Sequence, residues 1–258
     1  MTTVALIDSD VVGYRCAASC EPMSTKPEGE PVDFAIQRMD ELMWKILATT
    51  EAEEFRCFLS GGDNFRYLIY PEYKANRVKP PPAWLDECRK YLIQHWKAEI
   101  VVGYEADDAI GMSHKDNTII VSNDKDFKQL IGKHYNFVTD MFDEVDEDTA
   151  DYNFWRQMLM GDRADNIIGV AGIGDKKSEK LLTPLTPRER SELVLDLYND
   201  PARFTMNMKL LRILRSMEEY HDIIGEIHES VIEKSEGQKT PTTDSGQDSG
   251  DIPSTGKR

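Results

Sequence analysis

Short apolar runs alternate with stretches of helical periodicity over the first half of the chain. Four apolar runs predict buried strands, at residues 3–8, 55–60, 99–102 and 117–124. Between them, residues 34–48 and 82–98 place apolar side chains three and four positions apart, which is the spacing of an amphipathic helix. Strands that alternate with helices are typical of the α/β class, so we predict a mostly parallel central sheet with helices on both faces.

Helical periodicity dominates the second half of the chain. It predicts helices at residues 152–160, 175–182, 188–198 and 207–219. We therefore expect an α/β core at 1–150, a helical region packed on it at 151–234, and a tail at 235–258. The tail has no aromatic residue and a single aliphatic one, Ile252. It cannot bury enough apolar surface to fold, so we predict that it is disordered.

The formal net charge of −16 and the 40% hydrophobic content are typical of a soluble globular protein. Such an acidic chain does not bind nucleic acid through bulk charge, but it is compatible with a local basic surface or a carboxylate metal site. No apolar run approaches the roughly 20 residues that span a bilayer, and no signal peptide is visible. We expect a cytoplasmic protein without membrane contact and with four reduced cysteines, of which Cys57 is buried in a strand.

Acidic residues gather where the predicted strands end. They are Asp8 after the first strand, Glu105, Asp107 and Asp108 after the third, and Asp124 and Asp126 after the fourth. The carboxyl ends of parallel strands lie at one edge of a sheet, so we expect these side chains to converge there. Asp162 and Asp165, at a helix–loop junction, could complete the cluster.

So many carboxylates cannot stay ionised side by side without cations. Sites made only of oxygen ligands suit Mg²⁺ or Mn²⁺, and two such ions about 3.5–4 Å apart support phosphodiester hydrolysis. The alternative is that individual aspartates are helix caps or turn residues, and for Asp8 alone both interpretations stay open.

A glycine turn precedes the helix predicted at 175–182. Gly172 and Gly174 let the backbone approach a ligand, and the following helix begins with Lys176 and Lys177. Backbone amides and ammonium groups at this point would bind phosphate without reading base sequence. The alternative is a plain turn between two helices.

A basic loop with one aromatic residue follows the second predicted strand. Tyr73, Lys74 and Arg77 combine a ring with two cations, which suits the frayed end of a nucleotide chain. The alternative is an exposed basic turn without a ligand.

Five motifs, in this order, resemble the 5′-nuclease superfamily. That family includes flap endonucleases, bacteriophage 5′–3′ exonucleases and the 5′-nuclease domain of bacterial repair DNA polymerases. The motifs are LIDSD, YKANR, GYEADD, VSNDKDF and GDRADNIIGVAGIGDKKSEKLL, which cover about residues 3–185. The last motif is the most specific, because it joins metal-binding aspartates to the family's helix–three-turn–helix element. In length the chain is similar to stand-alone phage enzymes.

The resemblance implies a Mg²⁺-dependent 5′–3′ exonuclease or flap endonuclease that cuts DNA at 5′ ends, nicks or flaps, in phage replication or recombination. Glu105, Asp107 and Asp124 would bind one metal ion, with Asp8 and Asp108 beside them. Asp124, Asp126, Asp162 and Asp165 would bind or position a second, so that Asp124 is shared.

The resemblance also assigns the basic residues. Lys74 and Arg77 would contact the scissile or terminal phosphate. Gly172, Gly174, Lys176 and Lys177 would follow the backbone of a duplex, where the family often holds a monovalent cation such as K⁺.

The sequence departs from the family pattern at two points. An aspartate usually follows the second strand directly, but Ser60 and Gly61 stand there, and Asp63 comes later as a candidate substitute ligand. Only residues 78–102 separate Arg77 from Gly103, which leaves little room for a long helical arch.

Two other functions compete with a DNA nuclease. One is a ribonuclease of the same fold that removes RNA primers from RNA–DNA hybrids. The other is a noncatalytic nucleic-acid-binding module, which the acidic set disfavours because carboxylates without metal weaken binding to phosphate. We further expect a monomer that could reach a replication protein through its tail.

Overall fold

A six-stranded sheet forms the centre of the protein, in the order β3–β2–β1–β4–β5–β6. The computed structural model describes residues 2–237, with side chains to residue 229. The strands are β1 (Val4–Asp8), β2 (Glu54–Asn64), β3 (Glu99–Gly103), β4 (Thr118–Val121), β5 (Gly132–Asn136) and β6 (Met141–Val145). Strands β1 to β5 are parallel and β6 is antiparallel to β5, which confirms the mostly parallel α/β fold.

The last two strands are absent from the predicted elements. The acidic sequence at 143–148 predicts a solvated loop. In the structure its first half lies in β6 and its second half begins a helix. Four of the five residues of β6 are exposed because it is the edge strand, so its sequence has no apolar alternation to detect. Asp146 caps the following helix by accepting a hydrogen bond from the Thr149 amide at 2.8 Å.

Helices cover both faces of the sheet. On one face lie α1 (Ser9–Ala18), α2 (Val32–Thr50) and, after the single turn α3 (Arg66–Ile69), α4 (Leu85–His95). On the other lie α5 (Ala106–Ser113) and the 3-10 helix Lys125–Gln129. The four cysteines are unpaired and buried, and Cys57 lies in β2 as predicted.

Four further helices pack around a second apolar core, which includes Phe154, Met158, Leu182, Val194 and Leu210. They are α6 (Glu147–Met160), α7 (Asp175–Leu182), α8 (Pro187–Tyr198) and α9 (Pro201–Leu211), with a short hairpin of β7 (Gly161–Asp162) and β8 (Ile167–Ile168) after α6. The last helix, α10 (Met217–Gly237), contacts Phe65 and Tyr104 through Tyr220. No helix within residues 2–237 is long and apolar enough to cross a membrane.

The single helix predicted at 207–219 is wrong, because α9 ends at Leu211 and α10 starts at Met217. The link buries Ile213 and Leu214, whose amides donate to the side chains of Gln129 and Asp108 at 2.9 and 3.0 Å. These tertiary hydrogen bonds replace helical ones. Helix α10 also continues three residues into the predicted tail, and residues 238–258 lie outside the described part of the chain.

A buried ion pair joins the sheet to the helical region. The guanidinium of Arg66 donates to both oxygens of Asp108, at 2.6 and 3.0 Å, and both side chains are almost fully buried. Arg66 also donates to the carbonyls of Leu210 and Arg212, each at 2.9 Å. Asp108 accepts from the amides of Glu105 and Leu214. The pair therefore fixes the turn before α5 against the end of α9.

Asp108→Asn should lower the free energy of unfolding by about 3–5 kcal/mol, because the buried Arg66 charge loses its closest partner. Urea denaturation in metal-free buffer measures the change. Asp116→Asn is the matched control, since Asp116 is exposed at the opposite end of the sheet, and should stay within about 0.5 kcal/mol of wild type. A stable Asp108→Asn protein that had lost divalent-metal binding would instead make Asp108 a metal ligand.

Candidate active site

An open cavity of about 640 Å³ lies at the carboxyl ends of the central strands. We call it the first cavity. Five carboxylates line it: Asp8, Asp10, Glu105, Asp107 and Asp124. Lys74, Arg77 and Arg89 also line it, together with Ser60, Gly61 and Gly62 from β2. The parallel strands thus bring the acids that follow β1, β3 and β4 together, as the sequence predicts.

Asp8 is both a helix cap and a member of this cavity. One carboxylate oxygen accepts from the Val11 amide at 3.3 Å, and the other accepts from the Ser122 hydroxyl at 2.8 Å. Its side chain is almost fully buried. Burial, with the nearby Asp10 charge, raises the pKa of Asp8 to about 7, so a cation at this point would favour the ionised form.

A second, smaller cavity of about 30 Å³ lies beside the first. Its acidic lining consists of Glu105, Asp107, Asp126, Asp162 and Asp165. Glu105 and Asp107 therefore line both cavities, whereas Asp124 lines only the first of the two. Burial and the charges of Asp8, Glu105 and Asp124 raise the pKa of Asp107 well above its usual range.

Basic side chains already form ion pairs with several of these acids. Lys74 pairs with Glu105, and Arg77 pairs with Asp165. Although burial opposes it, Arg66 and Lys74 hold the pKa of Glu105 below its usual value. Within the described residues no three His, Cys, Asp or Glu side chains converge in metal-ligating geometry. A divalent ion would therefore take Glu105 and Asp165 from their present partners.

The donor set still fits magnesium or manganese. Every candidate ligand is a carboxylate oxygen, which these hard cations prefer. Asp8 and Asp107 lie in one cavity with raised pKa values and no direct ion pair, so nearby positive charge would stabilise them.

The basic loop lies at the site, but not as predicted in every residue. Lys74 adopts a left-handed backbone (φ 59°), and its amide donates to the Asp165 carbonyl at 3.0 Å. Tyr73 was expected to stack on a nucleotide, yet it is only 2% exposed. Its hydroxyl lies 2.8 Å from Glu105 and 2.9 Å from Asp165. The ring packs in the core and has no free face for a base.

Two predicted metal ligands lie outside both cavities. Asp108 is engaged by Arg66, as described above. Asp63 is exposed on the irregular end of β2 and lines neither cavity. The assignment of these two carboxylates as metal ligands stays a prediction.

Two charged residues of the first cavity are not among those predicted from the sequence. Asp10 accepts a hydrogen bond from the Ser60 amide at 2.7 Å and pairs with Arg89 of α4. Asp10 is the second aspartate of the LIDSD motif, so its spacing from Asp8 was visible. Arg89 carried no such signal, because it lies in a helix far along the chain.

The glycine turn before α7 is exposed, as a ligand-binding turn must be. Gly172 has a left-handed backbone (φ 72°), and Gly174 is the residue that caps α7. Lys176 and Lys177 are exposed in the first turn of that helix, and Lys177 donates to the Gly172 carbonyl at 3.4 Å.

Helix α4, of 11 residues, lies in the middle of the segment in which an arch would stand. It packs against α1 and α2, with Cys88 and Leu92 fully buried. Only the loop at residues 78–84 separates the basic loop from this packed helix.

Comparisons with known proteins agree with this architecture. Residues 3–157, more than half of the chain, match the family model of the 5′-3′ exonuclease N-terminal, resolvase-like domain. The chain is 30% identical over 206 residues to DNA polymerase I of Bacillus caldotenax, which covers 69% of this chain and 23% of the polymerase. It is 28% identical over 213 residues to the 5′-3′ exonuclease of Mycoplasma pneumoniae, covering 70% and 72% of the two chains. The chain spans only about a fifth of the polymerases it matches.

Two solved structures share the fold. The bacteriophage T5 5′-exonuclease with bound zinc ions has a TM-score of 0.63 at 20% identity, covering 90% of this chain and 98% of that one. The bacteriophage T5 flap endonuclease in complex with DNA and metal ions has a TM-score of 0.60 at 17% identity, covering 91% and 99%. The family match confirms the resemblance of the motifs, and the protein belongs to the 5′-3′ exonuclease family.

Proposed function

We propose that the protein is a divalent-metal-dependent 5′–3′ exonuclease and structure-specific 5′ nuclease acting on DNA, in phage replication or recombination. One observation carries the proposal. The carboxylates that follow three parallel strands line one open cavity together with Lys74 and Arg77. An acidic cleft alone would repel a phosphodiester. When the acids hold metal ions beside two basic side chains, the site can bind a phosphodiester and hydrolyse it.

The two cavities divide the proposed ligands. Asp8, Glu105, Asp107 and Asp124 would hold one ion, and Asp126, Asp162 and Asp165 would join Glu105 and Asp107 around the other. Mg²⁺ is the proposed ion and Mn²⁺ a substitute. When bound, such ions activate a water molecule and stabilise the leaving oxygen. Asp107 lines both cavities. We propose that it is a ligand shared by the two ions, either together with Asp124 or in its place.

Lys74 and Arg77 would exchange partners when nucleic acid binds. Both now pair with carboxylates, and both line the first cavity. Once a metal ion neutralises Glu105 and Asp165, the ammonium group of Lys74 and the guanidinium group of Arg77 are free to bind a phosphate. A guanidinium can contact a phosphate through two parallel hydrogen bonds. These two residues would thus orient the scissile or terminal phosphate.

The helical region at 151–234 would hold the duplex. The exposed turn with Gly172 and Gly174, followed by Lys176 and Lys177, presents amides and charge to a phosphate backbone. The Gly172 carbonyl already accepts a hydrogen bond from the ammonium group of Lys177, which supports K⁺ as an ion that this turn could bind. Contacts of this kind do not distinguish DNA from RNA–DNA hybrid.

A digestion panel tests the reaction. With Mg²⁺, labelled nicked duplex and 5′-flap DNA should release short 5′ products, and excess chelator should abolish them. Because α4 is packed against α1 and α2 and only the loop at 78–84 precedes it, a flap whose 5′ end is blocked by a bulky duplex should still be cut. Loss of all cutting on the blocked flap would require a threading aperture. Exclusive cutting of an RNA–DNA hybrid would favour the primer-removing ribonuclease. Absence of cutting on every substrate would favour the noncatalytic nucleic-acid-binding module.

Asp124→Asn should separate chemistry from binding. It should lower turnover about a thousandfold, equivalent to about 4 kcal/mol, because a ligand of the cation that stabilises transition-state charge is lost. Binding to nicked duplex without divalent metal should hold or tighten, since one negative charge is removed.

Lys176→Ala is the reciprocal variant of the same experiment. It should weaken duplex binding and flatten its salt dependence while single-turnover cleavage at saturation stays near wild type. Ordinary turnover in Asp124→Asn would contradict the assignment of Asp124 to the metal site.

The stability of the metal-free protein should fall as pH rises through neutrality. Burial, with the charges of Asp124 and Asp162, raises the pKa of Asp126 to about 7 from 3.8. The folded state then binds the proton more tightly than the unfolded state, so this contribution to stability is fully present below about pH 3.8, declines as pH rises from there, and is lost above about pH 7.

Urea denaturation of wild type and Asp126→Asn across this range measures that effect. Wild type should lose stability relative to the variant as pH rises, and Mg²⁺ should restore it most at the alkaline end. Parallel pH profiles would mean that Asp126 is ionised in the folded protein throughout.

A further inference from the structure

One strand that reaches the first cavity brings no carboxylate to it. Asp8 follows β1, Glu105 and Asp107 follow β3, and Asp124 follows β4. Strand β2 lies between β1 and β3, but among the described residues it contributes only Ser60, Gly61 and Gly62 to the lining. The acidic wall is therefore interrupted at β2.

Gly61 of β2 has no room for an acidic side chain, and Gly62 has open space beside it but carries no side chain. A Cβ atom at Gly61 would overlap the carbonyl oxygen of Val101 on β3. The Ser60 hydroxyl accepts a hydrogen bond from the Ala106 amide at 3.0 Å, and so caps the first turn of α5. The three residues that β2 contributes to the lining therefore supply no carboxylate to this part of the cavity.

The carboxylate of Asp10, in α1, lies beside the part of the cavity lining where β2 supplies no acid. Its Oδ2 accepts from the Ser60 amide at 2.7 Å, and its Oδ1 pairs with Arg89. Arg89 in turn donates to the Ser60 carbonyl at 2.6 Å. Both contacts of Asp10 are thus anchored to the end of β2, while its side chain stays 29% exposed toward the cavity.

We propose that Asp10 supplies the β2-side carboxylate of the cation site in the first cavity, and that Arg89 is its positioning residue. The inference deepens the proposed function and rests on it. Each oxygen of a carboxylate has two lone pairs, so an oxygen that accepts one hydrogen bond can still face a cation or a water bound to it. The guanidinium fixes the orientation of the carboxylate and offsets its repulsion of Asp8.

The test measures Mn²⁺ binding without nucleic acid, from the paramagnetic resonance signal of the free ion. Wild type should bind Mn²⁺, and Asp10→Asn should weaken one site about 10- to 100-fold, the usual effect of losing a supporting ligand. Asp116→Asn removes the same charge at the far end of the sheet and should match wild type. Asp63→Asn should match it too, since Asp63 lies outside both cavities.

The double variant Asp10→Asn/Arg89→Gln controls for charge and folding. It keeps the net charge of −16 and leaves no unpaired guanidinium in the cavity, so its cooperative melting without metal should resemble that of wild type. If the carboxylate itself serves the cation, this variant should lose Mn²⁺ affinity as Asp10→Asn does.

Three results would overturn the proposal. Wild-type Mn²⁺ affinity in both Asp10 variants would make Asp10 and Arg89 a structural ion pair only. Loss of a site in Asp63→Asn but not in Asp10→Asn would assign the role to Asp63. Absence of Mn²⁺ binding by wild type would remove the proposed function together with this inference, which distinguishes that failure from the other two.

Discussion

Repulsion among the carboxylates at the edge of the sheet is the constraint on which the rest of the site depends. Parallel strands cannot avoid bringing their carboxyl ends together, and burial removes the water that would screen the charges. The protein offsets the repulsion with fixed cations: Arg66, Lys74, Arg77 and Arg89 each pair with an acid there. At Asp8 and Asp107, which form no ion pair with any of the described residues, burial raises the pKa instead.

The same pairs make the site depend on the helical region. Arg66 binds Asp108 and also the carbonyl of Leu210 at the end of α9. The amide of Lys74 bonds to the Asp165 carbonyl, within the hairpin loop between β7 and β8. Folding of the second core therefore sets the distance between the basic loop and the acids. A site built across two cores in this way is sensitive to substitutions in either.

The sequence predicted the parts of the site that depend on periodicity and chain order, and missed those that depend on tertiary contact. The acids after β1, β3 and β4 lie together because alternating strands and helices determine where the strands end. Nothing in the spacing separates Asp107, which lines both cavities, from its neighbour Asp108, which is held in the ion pair with Arg66. The burial of Tyr73 and the reach of Arg89 likewise follow from packing alone. Edge strand β6 escaped detection because an exposed strand needs no apolar residues.

The hairpin after α6 explains how one short segment carries both acids and the exposed glycine turn that is proposed to bind phosphate. Gly161 begins this hairpin in a left-handed conformation (φ 70°), and Gly169 lies directly after it. A Cβ atom at either glycine would overlap the backbone of the other, so only glycine allows the two ends to close. The closed hairpin carries Asp162 and Asp165 to the second cavity, while the chain after Gly169 leaves with Gly172 and Lys176 exposed. Under the proposed function, the acids and the lysines would serve different phosphates of one nucleic acid, because a tight backbone crossing separates the two groups.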